Sequence, residues 1–321
     1  MKRIAVVTSG ADAPGMNAVI RAVVRSADAV DVAVCGIMHG FAGLVAEKFI
    51  DLDARAVSGI LHLGGTMLGS RTSAEFETEE GRAQAAANLR AAGCEGLIVI
   101  GGDGSLRGAG DLSLESGIGV VAIPVTIHND LVGTDFSIGF DTAVNTATDA
   151  MDRIRDTAES HRRLFFIEVL GRWSGWQALY SGVAGGATEV VVPQQDPDPD
   201  GLRERIQASF ALGKRYCLVV VAEGGEQRSV YELAEQTTRG TDFDSRVTSL
   251  GHIQRGGKPL MRDRVLAAVL GDEATKALLE GADQVMVGVR NGDLVRVSFE
   301  EALSGRRVPE ALMTVMGRLA R

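Results

Sequence analysis

The feature that most constrains the fold of this 321-residue chain is an alternation of short apolar runs with amphipathic stretches. Helical periodicity falls between the runs, for example at Asn17–Ala27, Gly81–Ala92 and Thr142–Glu159. Strands that alternate with helices form parallel sheets covered on both faces, and a second sheet is expected after Asp141. We therefore predict an α/β protein with two doubly wound, Rossmann-like domains and largely parallel sheets. The runs predicted as buried strands are Ile4–Thr8, Val32–Ile37, Gly96–Ile100, Val120–Pro124, Leu164–Leu170, Glu189–Val192, Cys217–Ala222 and Gln284–Val289.

Charge and cysteine content narrow the class of protein. The net charge of −9 argues against nucleic acid or a membrane surface as a partner, although local arginines could still bind an anionic substrate. No apolar run approaches the roughly 20 residues that cross a bilayer, and the N-terminal residues are predicted to form a strand and not a signal peptide. The three cysteines are far apart and lie in or beside apolar runs, which predicts buried reduced thiols and a cytoplasmic protein. The acidic, proline-rich stretch Pro193–Gly201 is predicted to be a solvated loop.

Two glycine-rich loops follow predicted strands and open helices. Thr8–Asn17 could bring backbone N–H groups to a phosphate, or it could be an ordinary strand-to-helix turn. Ile100–Ser105 is not a Walker loop, but its glycine pair could wrap a phosphate chain. Asp103 in that loop suits Mg²⁺ as a hard oxygen ligand, and the alternative is that it caps the next helix.

The third loop, Thr126–Asp130, contains the residues best suited to acid–base chemistry. Asp130 could share a metal with Asp103, and Thr126 could bind an entering oxygen. His128 is the candidate base, although a lone histidine is more often an ordinary loop residue.

Basic residues beside glycine pairs suggest a site for a phosphate monoester. Arginine offers bidentate geometry for phosphate, but a single arginine is usually part of a surface ion pair. Spacing along the chain does not bring these residues together. They are Arg163, Arg172, Arg246, His252 and Arg255.

Together these segments resemble the ATP-dependent 6-phosphofructokinase family over nearly the whole chain. The similar segments are Ser9–Asn17, Gly64–Ser70, Gly101–Ser105, Pro124–Asp141, Thr157–Arg172, Gly185–Gly186 and Gly251–Gly257. The resemblance implies a larger nucleotide-binding domain, residues 1–139 with 253–302, and a smaller sugar-phosphate domain, residues 140–252 with 303–321. Gly104 and Val125 match members that use ATP rather than pyrophosphate.

The resemblance also implies roles for individual residues, with ATP as co-substrate and Mg²⁺ held by Asp103 and Asp130. The nucleotide set is Gly10, Ala11, Arg71, Gly102, Asp103, Gly104 and Ser105. The sugar-phosphate set is Thr126, Arg163, Leu170, Gly171, Arg172, Glu223, Arg246, His252 and Arg255. Two of these residues typically come from a neighbouring subunit, which implies a homotetramer or homodimer with shared substrate sites. Arg21, Arg25, Arg155 and Lys214 resemble parts of the family's effector site. The catalytic set is His128, Thr126, Asp130, Arg172 and Arg71.

Three positions depart from the family pattern. Members read Thr-Ile-Asp-Asn-Asp where this chain reads Thr126-Ile127-His128-Asn129-Asp130, and the missing Asp accepts the proton of the attacking 1-hydroxyl. Ala11 replaces a glycine, and Arg71 matches the family arginine with a possible shift of one residue. Neutral imidazole has a reference pKa of about 6.5 and can accept a proton, but it lacks the charge of a carboxylate.

Three functions remain open at this stage. The first is an active ATP-dependent kinase, with His128 as base, that acts on fructose 6-phosphate or a related sugar phosphate. The second is a kinase for a different acceptor, in specialised metabolism. The third is a non-catalytic regulatory homologue that binds a sugar phosphate. Turnover separates the first two from the third, and binding without turnover would favour the third.

Overall fold

The computed structural model describes residues 1–194, 198–224, 229–305, 308 and 310–319. Within them the chain forms two compact units, Met1–Thr142 with Arg255–Gly305 (unit 1) and Ala143–Gln254 with the C-terminal segment (unit 2). In chain order the elements are β1 Arg3–Thr8, α1 Met16–Asp28, β2 Ala33–Ile37, α2 Gly40–Val45, β3 Phe49–Leu52, α3 Glu79–Ala91, β4 Gly96–Gly101, α4 Asp103–Ser116, β5 Gly119–Pro124, α5 Phe140–His161, β6 Leu164–Val169, α6 Trp176–Ala184, β7 Glu189–Val191, α7 Pro199–Ala211, β8 Cys217–Ala222, α8 Val230–Thr238, β9 Ser245–Ser249, a 3-10 helix Gly251–Arg255, α9 Met261–Leu279, β10 Val285–Arg290, β11 Asp293–Ser298, α10 Phe299–Ala302 and α11 Glu310–Leu319.

Unit 1 is built on one sheet with the order β11-β10-β5-β4-β1-β2-β3. Its central strands are parallel, and the edge pairs β10/β11 and β2/β3 are antiparallel. Successive side chains of a strand point to opposite faces. Ala5 and Val7 of β1 accordingly join a core that includes Leu89 of α3. The alternate residues Ile4 and Val6 are equally buried, so both faces of the sheet are covered.

Unit 2 contains a smaller, wholly parallel sheet with the order β7-β8-β6-β9. Its core joins Phe166 of β6 and Val219 of β8 to Leu202 and Ile206 of α7. The prediction of a doubly wound α/β protein with two largely parallel sheets is therefore confirmed.

The apolar runs located each strand that is buried on both faces. Strands β3, β9 and β11 were missed because exposed or half-buried positions run through them, so that no continuous apolar run marks them. β3 and β11 are the edges of the unit 1 sheet, and β9 is an edge of the unit 2 sheet. One face of an edge strand often meets solvent, which removes the signal.

The predicted loop Pro193–Gly201 is wrong at its end, because α7 begins at Pro199. Proline is well suited to the first turn of a helix, since the N–H that it lacks would have no partner there. Asp198 caps the helix by accepting from the Gly201 N–H at 2.9 Å. Residues 195–197 of the predicted loop lie outside the described residues.

The three cysteines are buried and unbridged, as predicted. Across the described ranges, no helix is both long and apolar enough to cross a membrane.

A buried carboxylate, Asp263 in the first turn of α9, anchors the start of α5 within unit 1. It accepts from the Gly139 N–H at 2.8 Å and from the Thr142 N–H at 2.9 Å. It also accepts from the Thr142 hydroxyl. Burial raises the pKa of Asp263, and these hydrogen bonds oppose that shift. The side chain therefore caps a helix of another segment, because α5 begins at Phe140.

Replacing Asp263 by asparagine is expected to destabilise the protein by about 1–3 kcal/mol, because asparagine turns one acceptor into a donor that faces a backbone N–H. For a unit of this size each kcal/mol lowers Tm by about 2–4 °C. Thermal unfolding monitored by circular dichroism measures the loss. The matched control is Asp272→Asn on the same helix, where the carboxylate is exposed and accepts from the Ser26 hydroxyl at 2.7 Å. Equal Tm values for the two variants would contradict the capping role.

Candidate active site

Three loops of unit 1 meet at the carboxyl ends of the adjacent strands β1, β4 and β5. The Ser9 N–H donates to the Ile100 carbonyl at 3.0 Å, and the Val125 N–H donates to the Gly101 carbonyl at 3.0 Å. Ligands of open parallel sheets bind at this edge. The structure therefore brings together the first, second and third loops singled out in the sequence.

Gly101, the last residue of β4, leaves no room for a side chain where the loops meet. A Cβ atom on Gly101 would lie 2.4 Å from Ser105 Oγ and 2.7 Å from the Ser9 carbonyl oxygen. Gly10 has φ +80°. Ser105 is buried at the N-terminus of α4, and its hydroxyl has no hydrogen-bond partner among the residues that the structure describes. A buried polar group and the free N–H groups of a helix N-terminus are together suited to a phosphate.

Asp103 is the first residue of α4 and does not cap it. The N-cap is Gly102, and no side-chain capping bond is present there. This finding removes the structural alternative that the sequence left open for Asp103. Gly102 is next to Thr126, since a Cβ atom on Gly102 would lie 3.5 Å from Thr126 Cβ. Asp103 thus lies beside the loop that carries Asp130.

The chemistry of these donors fits Mg²⁺ bound jointly with phosphates. Over the part of the chain that the structure describes, no group of three or more His, Cys, Asp or Glu side chains forms a metal site by itself. Mg²⁺ usually takes one or two carboxylates and completes its shell with substrate phosphates and water. Asp103 directly follows Gly102 after β4, and Asp130 lies in the loop after the paired strand β5, so these two carboxylates are the candidates for such a set.

Hydrogen bonds within the loop that contains His128 fix its backbone. His128 is 6% exposed, and its N–H donates to Thr126 Oγ1 at 3.1 Å. Asn129 is buried in the left-handed region with φ 49°, and its Oδ1 accepts from the Ser137 N–H at 2.9 Å. The Ser137 hydroxyl donates to the Thr126 carbonyl at 2.7 Å. Fixed backbone on both sides of His128 sets the direction of its side chain.

Asn129 and Ser137 were missed by the sequence analysis. Asn is one of the few residues that tolerate positive φ, so an Asn between two candidate catalytic residues was a usable signal for a tight turn. Nothing local marks Ser137, because its partners lie eight and eleven residues away.

The segment before Arg71 is attached to the first loop. Ser70 Oγ donates to the Gly10 carbonyl at 2.5 Å, and Thr8 Oγ1 donates to the Gly69 carbonyl at 2.8 Å. Arg71 therefore follows directly on a residue bound to Gly10. Ala11 and Arg71 are both exposed. Arg255 also lies here, since its Nη1 donates to the Asp12 carbonyl at 3.4 Å.

The carboxyl edge of the unit 2 sheet gathers a second group of predicted residues. Leu170, Gly171 and Arg172 follow β6, Glu223 follows β8, and His252 lies in the 3-10 helix after β9. The Glu223 N–H donates to the Val169 carbonyl at 2.8 Å, which places Glu223 beside Leu170. Arg172 has φ 47°, and its side chain is exposed.

Arg163 and Arg246 lie at the opposite, amino end of the same strands. Arg163 precedes β6, and its Nε donates to Asp244 Oδ2 at 2.6 Å. Arg246 of β9 donates to the other oxygen of Asp244. The two arginines, Arg163 first, hold the pKa of Asp244 below its usual value. A six-residue strand at about 3.3 Å per residue separates the two edges by more than about 15 Å, so one unit 2 does not gather all the predicted phosphate ligands.

The four possible effector residues are divided between the units. Arg21 and Arg25 lie one turn apart on α1 of unit 1. Arg155 of α5 belongs to unit 2, where it pairs with Asp152 at 2.6 Å and donates to the Gly185 carbonyl. Lys214 lies just before β8. The two units, each taken by itself, hold two of these residues apiece, so the effector site stays a prediction.

Comparison with known proteins gives one consistent result. The sequence profile of the family described as phosphofructokinase matches residues 3–278. The chain is 51% identical over 321 residues to ATP-dependent 6-phosphofructokinase 1 of Thermus thermophilus, and the match covers 100% of both chains. It is 48% identical over 313 residues to ATP-dependent 6-phosphofructokinase of Bacillus subtilis, covering 98% of this chain and 97% of that one.

A solved structure agrees with the fold. Phosphofructokinase from Saccharomyces cerevisiae matches with a TM-score of 0.88 at 33% identity. The match covers 99% of this chain and 47% of the yeast chain, so this chain spans about half the length of that relative.

Proposed function

Because this chain belongs to the phosphofructokinase family, we propose that it transfers a phosphoryl group from ATP to the 1-hydroxyl of fructose 6-phosphate or a related sugar phosphate. The observation that carries the proposal is the edge of unit 1 where the glycine loops, the buried Ser105 hydroxyl and the His128 loop converge. Phosphoryl transfer depends mainly on positioning and charge stabilisation. A rigid loop beside a phosphate-binding helix N-terminus supplies the positioning.

In the proposed reaction each residue has a stated task. Backbone N–H groups near Gly10, Ala11, Gly102 and Gly104, with Ser105, bind the nucleotide phosphates. Asp103 and Asp130 hold Mg²⁺, which when bound neutralises charge on the phosphates. His128 accepts the proton of the attacking hydroxyl, Thr126 orients that hydroxyl, and Arg71 stabilises the charge of the transferred group. Leu170, Gly171, Arg172 and Glu223 bind the sugar.

The terminal phosphate of the sugar is bound by His252 and Arg255 of one subunit together with Arg163 and Arg246 of a neighbour. The separation of Arg163 from His252 across the unit 2 sheet supports this arrangement, because one unit 2 does not bring them together. The proposal therefore includes a homodimer or homotetramer with shared sites. A cytoplasmic location belongs to it as well, where buried free thiols such as Cys35 stay reduced.

A related kinase with a different acceptor is the second candidate, and the observation that favours it is His128 itself. Imidazole is bulkier than the carboxylate of the family pattern, and in this buried loop the extra volume reshapes the space around the hydroxyl. Such an enzyme would still need an acceptor with a terminal phosphate.

The test is ADP release from MgATP with fructose 6-phosphate and a panel of sugar phosphates, with pyrophosphate as the alternative donor. We expect turnover with fructose 6-phosphate and ATP, none with pyrophosphate, and loss of turnover after chelation of Mg²⁺. Turnover of another member of the panel would favour the second candidate. Binding without any turnover would leave only a non-catalytic, sugar-phosphate-binding role.

A further inference from the structure

A buried pair of primary amides joins three segments at the carboxyl edge of the unit 2 sheet. Gln254 lies in the 3-10 helix after β9, and Gln177 lies in α6; both side chains are 0% exposed. Gln254 Oε1 accepts from the Leu170 N–H at 2.8 Å. Gln254 Nε2 donates to Gln177 Oε1 at 2.9 Å. The result is a continuous chain of hydrogen bonds from the end of β6 through Gln254 to α6.

This chain of hydrogen bonds begins where the β-ladder stops. The last ladder bonds link the Leu250 N–H to the Glu168 carbonyl and the Glu223 N–H to the Val169 carbonyl. Leu170 is the next residue, and the side chain of Gln254 takes its N–H in place of a neighbouring strand. A buried donor without an acceptor is costly, so this bond fixes where the segment after Leu170 begins.

The two segments so joined carry the predicted contacts to the sugar phosphate. Gly171 and Arg172 follow Leu170 directly, and His252 is two residues before Gln254. Arg172 is in the left-handed region with φ 47°, which few arginines adopt without support from surrounding structure. The exposed side chains of Arg172 and His252 thus extend from backbone that is fixed by buried amides.

Resting on the proposed function, we propose that Gln254 is a positioning residue that holds Arg172 and His252 in register for a sugar phosphate. It touches neither substrate nor the reacting atoms and acts through the backbone of both segments. Gln177 supports it by fixing the plane of the Gln254 amide. The nucleotide residues belong to unit 1, so their affinity for ATP does not depend on Gln254.

The experiment compares wild type with Gln254→Leu, which keeps the volume and removes both hydrogen bonds. We expect KM for fructose 6-phosphate to rise about 10-fold or more, because the Leu170 N–H loses its acceptor. KM for ATP should stay within about twofold of the wild-type value, since uniform damage to the fold would move both constants together. Gln207→Leu, an exposed substitution on α7 of the same unit, is the matched control and should change neither constant.

Intrinsic fluorescence supplies a readout that is independent of turnover. The chain has two tryptophans, Trp173 and Trp176, and both lie in the segment after Leu170. Trp176 is buried, so loosening of this segment should raise acrylamide quenching of its emission in Gln254→Leu but not in Gln207→Leu.

Gln254→Glu keeps an acceptor for the Leu170 N–H, and the Gln177 amide can turn to donate to its second oxygen. The KM of Gln254→Glu for fructose 6-phosphate and the acrylamide quenching of its fluorescence should lie between the values of wild type and Gln254→Leu. Gln254→Glu is the test variant if Gln254→Leu does not fold. The proposal would be overturned if Gln254→Leu had the same quenching and the same KM for fructose 6-phosphate as wild type. It would also be overturned if KM for fructose 6-phosphate and KM for ATP rose in parallel. If wild type fails to bind or turn over fructose 6-phosphate, the proposed function fails, while unchanged quenching in both variants still overturns the positioning role.

Discussion

Replacing His128 by alanine is expected to lower kcat by about 10²–10⁴-fold, the usual cost of losing a general base. His128 is the proposed base, and the hydrogen bonds of the Thr126–Ser137 loop fix the backbone on both sides of it. Alanine removes the imidazole but keeps the backbone bonds of the loop, so binding of the substrates should change little. Steady-state kinetics with MgATP and fructose 6-phosphate measure the effect. His161→Ala, an exposed change at the end of α5, is the control and should match wild type.

The pH dependence of kcat identifies the base more directly than the alanine variant does. Imidazole has a reference pKa of about 6.5 and aspartate one of about 3.9. A base acts only when it is deprotonated, and an imidazole in general loses its proton at higher pH than a carboxylate does. In His128→Asp the acid limb of the profile should move to lower pH. If wild type and His128→Asp had the same acid limb, His128 would not be the base. The same conclusion would follow if His128→Ala lowered kcat by less than about tenfold.

The second large expected effect is the recovery of activity when two impaired variants are combined in one oligomer. Arg163→Ala removes a proposed phosphate ligand from the amino edge of the unit 2 sheet, and His252→Ala removes a proposed one from the carboxyl edge. Each alone should raise KM for fructose 6-phosphate by roughly 10- to 100-fold, because each removes a charge-assisted or polar bond to the phosphate. If a site takes His252 from one subunit and Arg163 from its neighbour, a hybrid dimer contains one site with both residues intact.

Random 1:1 reassembly of the two variants should therefore restore about a quarter of wild-type activity at low substrate concentration. Half of the dimers are hybrids, and one of the two sites in each hybrid is intact. The measurement is activity before and after joint dissociation and reassembly, with each variant reassembled alone as its control. No recovery in the mixture, with wild type recovering fully under the same treatment, would contradict shared sites.

The fold was predictable where strands are buried on both faces, because such strands are continuous apolar runs in the sequence. Runs such as Gly96–Ile100 and Cys217–Ala222 are apolar throughout because both faces of their strands are covered. The edge strand β11 carries exposed polar residues and leaves no such run. The start of α7 at Pro199 was missed because proline and acidic residues mark loops as well as helix N-termini.

The candidate site was predictable in its residue types but not in its geometry. Gly101, Asp103 and His128 stand out because their residue types suit phosphates, cations and protons, and their roles stay predictions. The anchoring roles of Asp263 and Gln254 depend on partners at least 77 residues away, which no local pattern reveals. The division of Arg163 and His252 between opposite edges of one sheet likewise follows from strand direction and not from spacing.

The most direct test of the account is the product that wild type forms from MgATP and fructose 6-phosphate, identified by ³¹P NMR. We expect ADP and, in equal amount, a sugar with a second phosphomonoester on the 1-hydroxyl beside the original terminal phosphate. Unchanged fructose 6-phosphate after prolonged incubation, or ADP formed with inorganic phosphate and no doubly phosphorylated sugar, would contradict it.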